Sequence, residues 1–206
     1  RSLCQWGLAT VRTDHDAPKH AGVTMMAIDM KAPGVTVNGL KGLTGHAHFN
    51  EVFFDDLRVT EADVLGTVDD GWSIVGDVLS FERVGIARYA RCDRLLRLAP
   101  TVLGDRWAEV PEELKGRWTR MLTHCRRAQL MAYRIVALQS SGKVSPKDSA
   151  GYRIAVTKLD QDSAEVLSDI AAEVSHDDPR AGWFLGEVED HWKYSQASTV
   201  SSAISR

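Results

Sequence analysis

Hydrophobic positions along this chain follow two rhythms. As far as Val59 they come in short runs separated by Gly, Pro and polar turns. Trp6–Asp14 (WGLATVRTD) alternates and is rich in β-formers, and Val23–Met30 is an apolar run of strand length. Val35–Leu40 follows a Pro-Gly turn, and Phe49–Val59 is a fourth run. Its Phe49, Val52, Phe54 and Val59 are expected to point inward. Short strands joined by such turns predict an antiparallel sheet or barrel.

At Asp69 the period lengthens to that of a helix. One helix is predicted over Asp69–Ala99, with Asp69 or Asp70 as N-cap and Pro100 as its stop. A second starts with Pro111 in its first turn and runs to Ser140. A third covers Lys147–Glu173 and a last one Trp183–Gln196. The fold class is therefore α+β. An antiparallel β-sheet or barrel module over residues 1–68 precedes an up-down four-helix bundle over residues 69–206.

The first helix carries a conflict. At about 100° per residue, Val75, Val78, Leu79, Ile86, Tyr89 and Ala90 share one stripe, and Glu82 falls in its middle. One reading is an ion pair with Arg83, Arg88 or an arginine of another helix. The other is a carboxylate kept among apolar groups to move a proton.

Composition removes several alternatives. The 206 residues are 44% hydrophobic and 26% charged, which is ordinary for a globular chain. The net charge of −3 is spread along the sequence, which speaks against nucleic acid or acidic lipid as partner. No apolar run reaches the roughly 18 residues of a membrane span. The start, RSLCQWGLATVRTD, lacks the basic and continuous apolar segments of a secretory signal. Cys4, Cys92 and Cys125 are widely spaced and odd in number, as expected of reduced thiols in a cytoplasmic protein. The abrupt beginning and end lead us to expect a fragment.

The β block and the helix after it resemble the acyl-CoA dehydrogenase family. The spaced positions that carry the resemblance are Val52, Phe54, Asp56, Val59, Leu65, Gly66, Gly71 and Trp72, followed by Glu82-Arg83. The resemblance is strong over residues 1 to about 95 and weak beyond residue 100. It implies a piece of a three-domain flavoprotein fold: the second half of the middle β domain and most of the C-terminal helical bundle. It also implies FAD-dependent α,β-dehydrogenation of an acyl-CoA thioester, with a β-hydride passed to flavin and an electron-transfer flavoprotein as acceptor. Some members place the catalytic base in this first bundle helix, immediately before an Arg, and Glu82 matches that position. The late position used by other members falls near Thr199 and Val200 and offers no acid. Ser80 and Arg83 match positions near the thioester's CoA portion.

The chain also departs from the family. Where members carry an Arg-x-x-Phe-Gly segment for a neighbour's flavin, it reads RWAEVPEELKGRW. Where they carry a Gly-Gly-x-Gly-Tyr segment, it reads SHDDPRAGWFLGEVEDHW. No cofactor-binding residue is assigned. This pattern resembles one subunit of the bacterial heteromeric acyl-CoA dehydrogenases, several of which handle steroid side chains. A homo- or hetero-oligomer is expected, with an unlike partner helping to hold FAD. The competing expectation is a non-catalytic partner subunit.

Three further constellations are weaker. His46 and His48 share one side of an extended segment, yet no other metal ligands lie near them in sequence. Arg126 and Arg127 form either a solvated face or a phosphate clamp. Gly85, inside the predicted first helix, costs up to about 1 kcal/mol relative to Ala.

Overall fold

The computed structural model describes residues 4–42, 45, 49–82, 84, 86–173 and 179–201. They form two compact units, residues 1–80 and 81–206.

In the first unit β1 (Trp6–Arg12) pairs antiparallel with β2 (Val23–Asp29), Trp6 opposite Asp29 and Arg12 opposite Val23. A two-residue strand that the sequence did not announce, β5 (Val64–Leu65), adds to the other edge of β2. The second sheet is β3 (Val35–Leu40) against β4 (Phe49–Phe54), with Val37 opposite Val52. β2 supplies the unit's core through Val23, Met25 and Ile28.

The alternation of β1 is real, but its smaller residues face inward. Gly7, Ala9 and Val11 are half-buried, while Trp6 and Leu8 are 56% and 60% exposed. The inward orientation expected for Phe49, Phe54 and Val59 is not observed. All three are exposed, and only Val52 is half-buried. Among the described residues neither β3 nor β4 contributes a fully buried side chain.

In place of one helix over Asp69–Ala99 there are two. α1 spans Gly71–Glu82 and α2 spans Ile86–Leu103, with Val84 outside both. Pro100 does not end α2 but lies inside it. It has no N–H for the carbonyl of Leu96, four residues earlier. The indole Nε1–H of Trp118 donates to that carbonyl instead, at 2.8 Å.

α3 (Glu112–Ser140), α4 (Pro146–Ala172) and α5 (Pro179–Ser201) complete the bundle. Pro111 caps α3 in an extended conformation. The turn after α3 places Gly142 at φ 68, and the N–H of Lys143 reaches back to the Leu138 carbonyl at 2.9 Å. Ser145 and Asp148 then form a reciprocal capping box at the start of α4. α3 buries Met121, Cys125, Ala128, Ala132 and Ile135, a spacing of three and four that keeps one stripe inward. α2 and α4 form the diagonal of the bundle, each packing against the other three helices.

Candidate functional site

The segment that leads to Glu82 is fixed at its start by glycine and threonine chemistry. A Cβ on Gly71 would lie 2.5 Å from the backbone nitrogen of Met25, so α1 can begin this close to β2 only without a side chain. Asp69, at φ 68, donates its N–H to the buried Thr24 Oγ1 at 2.9 Å. Thr13 holds both partners, at 2.7 Å from the Thr24 hydroxyl and 2.5 Å from the Asp69 carboxylate. Trp72 stacks on His20 with ring centroids 4.0 Å apart. The Gly71-Trp72 pair singled out in the sequence is thus the anchor of the helix that carries Glu82.

Glu82 is the last residue of α1 and is exposed. The apolar stripe expected around it is only partly buried: Tyr89 is inside, while Val78, Leu79 and Ala90 are exposed. Arg83, Gly85 and the side chain of Ser80 lie outside the described residues, as do His46 and His48. The ion-pair reading of Glu82 loses Arg88, whose guanidinium contacts Asp160 of α4 at 3.2 Å. Arg153, also on α4, is 8% exposed and its Nε has no hydrogen-bond partner. Burial and the neighbouring Arg88 hold its pKa below the usual guanidinium range, and the charge of Glu82 works in the opposite direction. Among the described residues no hydrogen bond or ion pair engages the Glu82 carboxylate.

A second constellation was not foreseen. Cys92 of α2, Asp160 and Ser163 of α4 and His191 of α5 meet where these helices touch, all fully or almost fully buried. The Cys92 thiol lies 3.3 Å from Asp160 Oδ1, 3.8 Å from His191 Nε2 and 3.2 Å from the Ser163 hydroxyl. Burial pushes the Cys92 thiol well up and the Asp160 carboxyl up, and pushes His191 down to about 4. In the sequence each of these residues looks unremarkable. The available signal was helical spacing: Cys92 is three residues from Tyr89 and from Leu95, and Asp160 is four from Val156 and from Ala164.

Arg126 and Arg127 remain on the outside of α3. Arg126 hydrogen-bonds Gln129 and lines a groove of about 520 Å³ with Arg94 and Arg97. Arg94 and Arg97 are already paired with Glu187 and Asp93.

Neither flavin-contacting segment of the family stands at its expected place in the sequence. In the region of the missing Arg-Phe motif the aromatic is Trp107. It packs edge-on against Trp118 at 5.1 Å, as part of the bundle. The adjacent Arg106 is exposed in a short 3-10 turn. The residues of the second motif fall partly in 174–178, outside the described residues.

No family model matches the chain. Its architecture is that of a known enzyme class. The steroid acyl-CoA dehydrogenase Tcur3481–Tcur3483 superposes with a TM-score of 0.82 at 19% identity, over 96% of this chain and 52% of that one. In sequence, acyl-CoA dehydrogenase FadE34 of Mycobacterium tuberculosis is 32% identical over 167 residues, 81% of this chain and 23% of the relative. Acyl-CoA dehydrogenase IpdE1 of Mycolicibacterium smegmatis is 29% identical over 208 residues, 95% of this chain and 49% of the relative. The chain belongs to the acyl-CoA dehydrogenase family. It spans about half the length of IpdE1 and about a quarter of FadE34.

Proposed function

We propose that this chain is the base-carrying part of an enzyme that removes two hydrogens across the Cα–Cβ bond of an acyl-CoA thioester. The observation that carries this reading is Glu82. It stands in the Glu-Arg pair at the family's early base position, at an exposed helix end with no described partner for its carboxylate. The α-proton of a thioester is weakly acidic, and a carboxylate within hydrogen-bond reach of it can accept it. Ser80 and Arg83 are assigned to the CoA side of the substrate. The family's FAD supplies the oxidant that takes the β-hydride. Because the sequence departs from both family segments that contact a neighbour's flavin, we assign FAD binding to the assembled enzyme, with an unlike subunit as contributor. An electron-transfer flavoprotein is the proposed acceptor and the cytoplasm the proposed compartment. Among the described residues no helix is long and apolar enough to cross a membrane.

The test uses the full-length protein in its native assembly. Incubated in deuterated water with an acyl-CoA it turns over, the enzyme should exchange the α-hydrogen. Glu82→Gln should lower both exchange and flavin reduction by about 10²–10⁴-fold, the range of a lost general base. Unchanged exchange in that variant would remove Glu82 from the reaction. The non-catalytic reading would then stand, in which this chain only completes a partner's bundle.

A further inference from the structure

We propose that Cys92, Asp160, Ser163 and His191 form a closed, four-coordinate site for a divalent cation of the zinc class, tying α2, α4 and α5 together. The site lies on the diagonal of the bundle and takes no part in the dehydrogenation proposed above.

The cluster gathers four potential ligand atoms from three helices. The Ser163 hydroxyl has three acceptors at similar range: Cys92 Sγ at 3.2 Å, His191 Nε2 at 3.1 Å and the Asp160 backbone carbonyl at 3.1 Å. It can donate to one of them at a time. The Cys92 thiol donates to Asp160 Oδ1, and its contact with His191 Nε2 runs in either direction according to the tautomer. Cys92 Sγ, Asp160 Oδ1, Ser163 Oγ and His191 Nε2 thus share one buried volume.

The spacing suits a small tetrahedral ion. Bonds of about 2.3 Å to sulfur and about 2.0 Å to nitrogen or oxygen give ligand–ligand edges of roughly 3.3–3.5 Å. The recorded edges are 3.3 Å for Cys92–Asp160, 3.8 Å for Cys92–His191, 3.2 Å for Cys92–Ser163 and 3.1 Å for Ser163–His191. The Cys92, Asp160 and His191 ligand atoms all lie within 4.8 Å of one another, so the widest pair would close by at most about 1.5 Å. Ligand chemistry points to the same class: one thiolate, one imidazole and one carboxylate favour zinc over calcium or magnesium. On binding, the thiol proton leaves for solvent, and thiolate plus carboxylate balance the two positive charges. Arg88 sits on Asp160 Oδ2, leaving Oδ1 for the ion and fixing the carboxylate from outside.

Full-length protein, stripped with a chelator and checked for native circular dichroism, is titrated with Zn²⁺ or Co²⁺ and its metal content measured by mass spectrometry. The expected result is one equivalent per chain. With cobalt it comes with a thiolate charge-transfer band and the intense visible bands of a tetrahedral ion. Cys92→Ser should weaken binding by more than the roughly 10–100-fold that outer-shell changes cost, while Cys125→Ser leaves it unchanged. X-ray absorption on the zinc-loaded wild type should show one sulfur neighbour and otherwise nitrogen or oxygen, whether or not the variants fold. Absence of stoichiometric uptake by folded protein, a cobalt band that survives Cys92→Ser, or a sulfur-free shell would overturn the proposal.

Discussion

Glu82 ends a helix in the open, so its chemistry and its contribution to stability separate cleanly. The Glu82→Gln variant should melt within about 0.5 kcal/mol of wild type, as surface changes do, even where turnover collapses. Arg88 is the opposite case. It meets a carboxylate that is 1% exposed, so Arg88→Met should cost about 3–5 kcal/mol in urea unfolding by stranding a buried charge. In metal-free protein the pair Arg88→Met with Asp160→Leu should recover most of that loss, because neither charge then remains inside. A full loss in the double variant would mean that the pair stabilises more than it costs to bury. At this scale the sequence placed Glu82 on the right helix and named Arg88 as a candidate partner. It could not show that Arg88 turns instead to a residue 72 positions away, since a period read along one helix carries no information about the helix opposite.

Elements were more legible than faces. Val35–Leu40 was bounded correctly from its β-branched run, and the loop between α3 and α4 from its Ser, Gly and Pro residues. Phe49–Val59 was read too long because apolar side chains continue past Phe54 while the ladder to β3 does not. Pro100 misled for a physical reason: the missing N–H matters only if its carbonyl partner stays unsatisfied, and Trp118 satisfies it. This makes a specific energetic claim. Trp118→Phe should destabilise by about 1–3 kcal/mol, the cost of an orphaned carbonyl plus lost packing. In a Pro100→Ala background, where a backbone N–H again faces Leu96, the same change should cost less, with a coupling on the order of 1 kcal/mol in a double-mutant cycle. Additive effects would mean that the indole acts only through packing against Trp107. At the next junction, Ser145→Ala should cost about 1 kcal/mol in thermal unfolding by removing the cap of α4.

For the whole molecule, the order of a β module followed by a bundle followed from the change in hydrophobic period and agrees with the structure. The polar cluster on the bundle diagonal did not follow from it, because three helices distant in sequence have to assemble before their polar residues share a volume. The reading of incomplete flavin motifs makes its prediction at this scale. Full-length protein produced without an unlike acyl-CoA dehydrogenase subunit should purify with well under one FAD per chain by absorbance. Coexpression with such a subunit should restore it. Full flavin in a homo-oligomer would show that this protein completes its own site.

β1 closes the three-stranded sheet on one side, and among the described residues nothing pairs with its outer edge. That edge carries Trp6 and Leu8 outward and only Arg12 as a charge. A hydrophobic strand edge with so little to repel a neighbour is a template on which another chain can stack. Whatever covers this edge in the assembled protein therefore has a protective task. Residues 1–206 on their own should be prone to β-type aggregation, which a Lys in place of Leu8 would suppress without touching the bundle.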